Sequence, residues 1–299
     1  MSKARAWVNV LRLSNTPTLI SNVMVGFGLG IAAHRLQWSD ATIVPTLSPL
    51  VPLFLVTLAL LCAYFAGLVL NDAIDVEFDK KNRPDRPLPS GTISKTQVWI
   101  VGFSLLVAAL VLSTFTQILA LYFMAALLCS VLIYTYLHRF IIPALIFMGL
   151  CRGMVYVVAF SAFNVTFQSE PLFVFSLGIA WYTAVLTFIA RGESKNNTAK
   201  RWLALLLLPA AYVPAIMYFT QFQFIWIVLS LGLFTIWTVF TIVVFHLSEK
   251  SVHGIHMMLV GFCLLDVVYL CVAAEVPIAI VSGLCAILTI IAQRKILGT

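Results

Sequence analysis

Residues 50–87 read LVPLFLVTLALLCAYFAGLVLNDAIDVEFDKKNRPDRP, an apolar run without a charge that passes at once into acids and bases. The run 50–70 is long enough to cross a bilayer, which takes about 20 apolar residues as a helix. The pattern repeats along the chain. Further apolar stretches lie at 17–34, 98–115, 118–137, 141–162, 172–190, 202–220, 222–245, 256–273 and 276–293, giving ten spans in all. Composition agrees: 62% of residues are hydrophobic and 10% charged, where soluble domains carry about 25% charged residues. No polar linker, low-complexity tract or heptad run divides the sequence. The expectation is an all-α polytopic membrane bundle of about nine to ten helices, a single domain over residues 1–299.

Charge asymmetry sets the expected topology. With ten spans, one side collects Lys3, Arg5, Arg12, Lys80, Lys81, Arg83, Arg86, Lys95, Arg139, Arg191, Lys195, Lys200, Arg201, Lys250, Arg294 and Lys295. Arg35 falls on the other side and Arg152 inside span five. Excess Lys and Arg mark cytoplasmic loops, so both termini are expected in the cytoplasm, in a bacterial-type inner membrane or an organellar one. The formal net charge of +7 is thereby a topology signal, and nucleic acid is not an expected partner. The stretch TPTLISNVMVGFGLGIAAH lacks a small-x-small cleavage site and reads as the first span rather than a signal peptide. The six cysteines stand singly in apolar segments and read as packing residues, with neither a disulfide framework nor a metal site implied.

Five of the eleven Asp and Glu fall in residues 71–87: Asp72, Asp75, Glu77, Asp79 and Asp85. If span two continues as a helix, Asp72, Asp75 and Asp79 lie within an arc of roughly 60° at about 100° per residue, with Glu77 turned away to solvent. Such a face repels itself, and at a helix C-terminus it also opposes the dipole. It requires positive charge. One source is the nearby Lys80, Lys81, Arg83 and Arg86 on a wet surface. The other is a divalent cation such as Mg²⁺, which takes carboxylate oxygens and substrate phosphates; the adjacent bases would then grip phosphate oxygens.

Asn71-Asp72-Ala-Ile-Asp75-Val-Glu-Phe-Asp79 resembles the NDxxDxxxD motif of the UbiA superfamily of membrane prenyltransferases. NRPDRPLPSGTIS is similar to that family's continuation, LRLSNTPTLISNVMVGFGLG to its first helix, IYTYLHR to its stretch after span four, and CRGMVYVVA to an Arg-Gly segment of some members. The resemblance implies a helical bundle whose central cavity opens to the cytoplasmic side. It implies Mg²⁺ held by Asp72, Asp75 and Asp79, an isoprenyl diphosphate bound beside Asn71, and a small-molecule or lipid acceptor. Lys80, Arg86, Arg139, Lys195 and Arg152 are the expected diphosphate contacts. The family's second acidic motif should follow span six, but IARGESKNNTAKR at 189–201 keeps Glu193 as its one carboxylate. Two readings stay open: a transferase in which Glu193 completes the coordination, or a UbiA-like protein that binds or moves an isoprenoid metabolite without catalysis. A secondary transporter is a third class, which inverted repeats would support; no clear internal repeat is found.

Arg152 and Asp266 are the charges near the middle of their spans, functional candidates by default, with mutual pairing as the bland alternative. Tyr134, His138 and Arg139 end span four, where Arg139 is either a diphosphate contact or an interfacial anchor. His246, His253 and His256 flank Glu249 at spacings unlike a metal helix and read as ordinary loop histidines. Asn164-Val-Thr166 fits a glycosylation sequon on the outer side.

Overall fold

The computed structural model describes residues 3–37, 49–163, 170–193, 198–247 and 252–295. The sequon at 164–166, Lys195 and Glu249 lie outside these residues. A short helix α1 (Lys3–Val10) precedes α2 (Thr16–Gln37), α3 (Leu50–Asn82), α4 (Lys95–Thr114), α5 (Ile118–Leu137), α6 (Ile141–Ser161) and α7 (Glu170–Glu193). Then come α8 (Leu208–Met217), α9 (Phe224–Leu247), α10 (Val252–Val272) and α11 (Val276–Lys295). Among the described residues there is no strand, as expected where no water is available to satisfy exposed backbone groups. Nine helices there are long and apolar enough to cross a membrane, and the chain is a multi-pass integral membrane protein.

The apolar stretch at 202–220 is interrupted. Thr198–Leu207 is a 3₁₀ segment running into α8. Pro209 and Pro214 each lack an N–H, and a proline ring crowds the preceding turn. A 3₁₀ helix rises about 2.0 Å per residue against 1.5 Å, so the twenty residues still extend over about 35 Å. Side-chain donors meet the segment's carbonyls: Trp181 Nε1 donates to Leu206 O at 2.7 Å and Tyr269 Oη to Ala210 O at 2.8 Å.

Helices α2 and α10 form the centre of the bundle. In their spans 67% and 72% of residues are buried, against 28% in α4 and α11, whose remaining surface is left for lipid. Consecutive helices pack side by side, and α11 returns to pack on α2. Without a hydrophobic drive between helices in lipid, small residues set the closest approaches. Gly149 and Gly153, one turn apart in GLCRG, lie against the α7 backbone; a Cβ at either would come within 2.7 Å of Ala180 O or Ser176 O. That contact fixes α6, which carries Arg152 between the two glycines.

Gly153→Val should therefore cost roughly 1–3 kcal/mol, as overpacking does. Gly232→Val, where a Cβ meets nothing within 4 Å, should leave stability unchanged. Thermal unfolding of the two variants in one detergent measures the difference.

Candidate active site

Helix α3 does not stop where its apolar run ends. It continues for three further turns to Asn82, and Pro84 then bars its extension by excluding the helical conformation at Arg83. Asp72, Asp75 and Asp79 accordingly share one helical face, with Asp79 only 3% exposed, whereas Glu77 is exposed. The loop that follows turns at Gly91, whose φ of 75° suits glycine. It ends in a capping box, in which Ser94 Oγ accepts from Gln97 N and Gln97 Oε1 accepts from Ser94 N. This loop returns Arg86 to the helix it left.

Each carboxylate is met by cations from elsewhere. Arg86 Nη1 donates to Asp79 Oδ2 at 2.7 Å and lies 4.0 Å from Asp72 Oδ1. Arg12, between α1 and α2, places Nη2 3.6 Å from Asp72 Oδ1. Its φ of 45° is left-handed, a conformation that costs a non-glycine residue about 1–2 kcal/mol. His138 Nε2 stands 3.0 and 3.1 Å from the two Asp75 oxygens, and Nδ1 stands 2.8 Å from Thr135 O. Both ring nitrogens face acceptors, an arrangement that suits the imidazolium. The hydrogen bond to Asp75 holds the His138 pKa above the ordinary histidine value, with burial working against it. Arg139 Nη2 lies 3.8 Å from Asp75 Oδ1, and Arg191 donates to the His138 carbonyl.

Two oxygens at this face are left over. Asn71 Oδ1 and Asp72 Oδ1 are buried with no hydrogen-bond partner, because Arg12 and Arg86 approach Asp72 Oδ1 as charges at 3.6 and 4.0 Å, beyond hydrogen-bond reach. Hard oxygens of this kind, carried on successive residues, suit Mg²⁺, which retains waters and takes the rest of its ligands from phosphate. Among the described residues, no three His, Cys, Asp or Glu side chains converge as a ready metal site. The donor set present therefore fits a cation that arrives with a phosphate ligand.

A cavity of about 230 Å³ adjoins the cluster. Arg12, Asn15, Thr18, Asn71 and Arg152 supply its principal polar groups, Tyr64, Tyr134 and Phe262 its aromatic faces, and Leu19, Leu60, Leu127, Val131, Val155 and Leu186 much of its apolar wall.

Of the residues singled out in the sequence, Asn71, Asp72, Asp75, Asp79, Arg86 and Arg139 come together. Lys80 does not. Its Nζ lies 2.9 Å from Glu77 Oε1 on the exposed side of α3, since residue 80 is turned about 100° away from Asp79 and sits one turn on from Glu77. Glu193 ends α7, and its side chain lies outside what the structure describes. Arg152 lines the cavity but pairs with none of the three aspartates. Asp266 is fully buried and accepts from Ser21, Asn22 and Tyr156, so the two mid-membrane charges do not form a direct pair. Arg12 and His138 are members of the cluster to which sequence reading gave no role. The one signal for Arg12 was its place in the LRLSNTPT stretch.

A multi-pass helical membrane protein with a cation-ringed acidic face beside an apolar cavity is the class that fold and site define. The model of the UbiA prenyltransferase family matches residues 38–298, and the chain belongs to that family. It is 30% identical over 138 residues to a digeranylgeranylglyceryl phosphate synthase of Methanococcus aeolicus, covering 46% of this chain and 44% of that one. It is 29% identical over 123 residues to a 4-hydroxybenzoate octaprenyltransferase of Blochmanniella pennsylvanica, covering 40% and 42%. The chain thus spans less than half the length of the curated relatives it matches. Its fold is shared with a UbiA homolog from Archaeoglobus fulgidus bound to GPP and Mg²⁺, at a TM-score of 0.59, 16% identity, and coverage of 97% and 99%.

Removing Arg86 strands Asp79, whose side chain is 4% exposed. Arg86→Met should cost about 3–5 kcal/mol, the usual penalty for orphaning a buried partner, whereas Lys80→Ala should leave the unfolding temperature unchanged. Thermal melts of both variants check the contrast.

Proposed function

We propose that this protein transfers an isoprenyl group from an isoprenyl diphosphate to a small-molecule or lipid acceptor inside the membrane, with Mg²⁺ accompanying the diphosphate. One observation carries the reading. Arg12, Arg86 and the His138-Arg139 pair, from three parts of the chain, ring three carboxylates beside an apolar cavity, and Asn71 Oδ1 and Asp72 Oδ1 there are unpartnered. The names of the relatives support it, as does the GPP and Mg²⁺ bound to the solved homolog. The excess of Lys and Arg on this side of the bundle supports a cytoplasmic position for the cluster.

Asn71 Oδ1 and Asp72 Oδ1 would hold the metal, which when bound offsets the negative charge that develops on departing pyrophosphate. Arg12 and Arg86 stand within 4 Å of Asp72 and can turn part of their donor set to the phosphate oxygens. His138 and Arg139, paired with Asp75, add positive charge on the next turn. These groups are fixed before the substrate arrives, so stabilising the leaving group takes little reorganisation. The apolar wall receives the isoprenyl chain and keeps water from the allylic cation. Tyr64 and Tyr134 offer ring faces to that cation, and the acceptor then closes the new bond.

The reduction of the second acidic motif to Glu193 favours one alternative, a protein that carries an isoprenoid without turning it over. Purified protein with radiolabelled geranylgeranyl diphosphate and a panel of acceptors separates the two. Product should form with Mg²⁺, vanish with EDTA, and fall at least about 100-fold in Asp72→Asn, the scale of losing one preorganised charge contact. Lys80→Ala should retain full activity. Diphosphate binding without turnover across the panel would reject the transferase and establish the carrier.

A further inference from the structure

The mid-membrane arginine is built as a site of its own. Arg152 Nη2 donates to Thr18 Oγ1 at 2.6 Å, and Thr18 Oγ1 donates in turn to Asn15 O at 2.8 Å. The guanidinium carbon lies 4.4 Å from the centre of the Phe262 ring, so the group rests on an aromatic face. Its Nε–H is buried with no hydrogen-bond partner, and Arg152, Thr18 and Phe262 all line the cavity. A guanidinium has five donors in a fixed fork. Here one is occupied and one is left dry, which the bundle has no structural reason to tolerate.

One turn deeper on each of the three helices lies the counterweight. Tyr156 follows Arg152 on α6, Asp266 follows Phe262 on α10, and Asn22 follows Thr18 on α2. Tyr156 and Asn22, with Ser21, donate to the Asp266 carboxylate, at 2.5 Å from Ser21 and 2.8 and 3.0 Å from Asn22. Asp266 balances the buried charge at a distance. Its oxygens are engaged elsewhere, so the Arg152 donors stay available to the cavity.

Depth decides what such donors meet. Thr18 lies six residues into the first span from Arg12, roughly 10 Å at helical rise. A diphosphate held at Arg12, Arg86 and Asp72 would therefore sit nearly two turns along the first span from Thr18, the residue that holds Arg152. The isoprenyl chain between carries no charge. We propose that Arg152 binds an oxyanion on the acceptor, a carboxylate or a phosphate, and so selects anionic over neutral acceptors and orients them toward the diphosphate end. The proposal rests on the two-substrate reading above and assigns Arg152 to the acceptor rather than to the diphosphate.

The test is equilibrium binding to purified protein with Mg²⁺ and inorganic pyrophosphate held at saturation. The probes are radiolabelled 4-hydroxybenzoate against its methyl ester, and an alkylglyceryl phosphate against the alkylglycerol. At least one anion should bind about tenfold or more tightly than its neutral counterpart, the effect of one charge-assisted hydrogen bond. Which pair shows the preference identifies the group as carboxylate or phosphate. Arg152→Gln should abolish the preference and Arg152→Lys should keep part of it. Both should bind pyrophosphate as the wild type does, which shows that they fold. If R152Q cannot be purified, Thr18→Val serves, and should narrow the preference at least about threefold by releasing the guanidinium. No preference in the wild type, a preference unchanged in these variants, or displacement of the anion by pyrophosphate would overturn the proposal. An Arg152-dependent preference without any prenyl transfer rejects the transferase alone; transfer without that preference rejects the inner site alone.

Discussion

Three carboxylates stacked on one face at the C-terminal end of a helix are tolerable only if positive charge is brought to them. They repel one another, they oppose the helix dipole, and Asp79 is too buried for water to relieve the strain. Much of the arrangement around them answers that demand. The Arg83–Ser94 loop returns Arg86, the link between α1 and α2 presents Arg12, and the end of α5 presents His138 and Arg139. Compensation stops short of saturation at Asn71 and Asp72, whose buried Oδ1 atoms lack hydrogen bonds. On the proposed reading, the face that the protein must neutralise to fold is also the one that an incoming metal diphosphate would complete.

The bilayer makes most of this fold readable from hydropathy. Backbone groups in lipid must pair within their own segment, so an apolar run of sufficient length means a helix, and the spans read from sequence match the helices closely. The acidic face was readable too, because Asp72, Asp75 and Asp79 belong to one helix and helical spacing places them. Arg12 and His138 were not. His138 is 63 residues from Asp75, and a side chain's distant partner leaves no local pattern. Lys80 misled for a related reason. Nearness in sequence to Asp79 suggested the site, whereas the turn of the helix carries it to Glu77. The break in the stretch at 202–220 is invisible to hydropathy, although Pro209 and Pro214 stood there as its signal.

The two mid-membrane charges show a different logic from the acidic face. The simplest arrangement of an Arg and an Asp at that depth is one mutual ion pair. Asp266 instead spends its oxygens on Ser21, Asn22 and Tyr156, while Arg152 holds Thr18 and lies on Phe262. Separation by one turn keeps the region near neutral overall and leaves a polarised inner end to a largely apolar cavity. The glycine contacts of α6 with α7 fix the helix on which that separation depends.

Arg12 is held with a left-handed backbone at the junction between α1 and the first span. Glycine there would relieve the backbone while deleting the charge beside Asp72, so the two effects on folding free energy would partly cancel. A survey of this protein by stability alone would therefore score position 12 as permissive. Selection for robustness would drift toward residues that relax the turn, and selection for function would pull the arginine back.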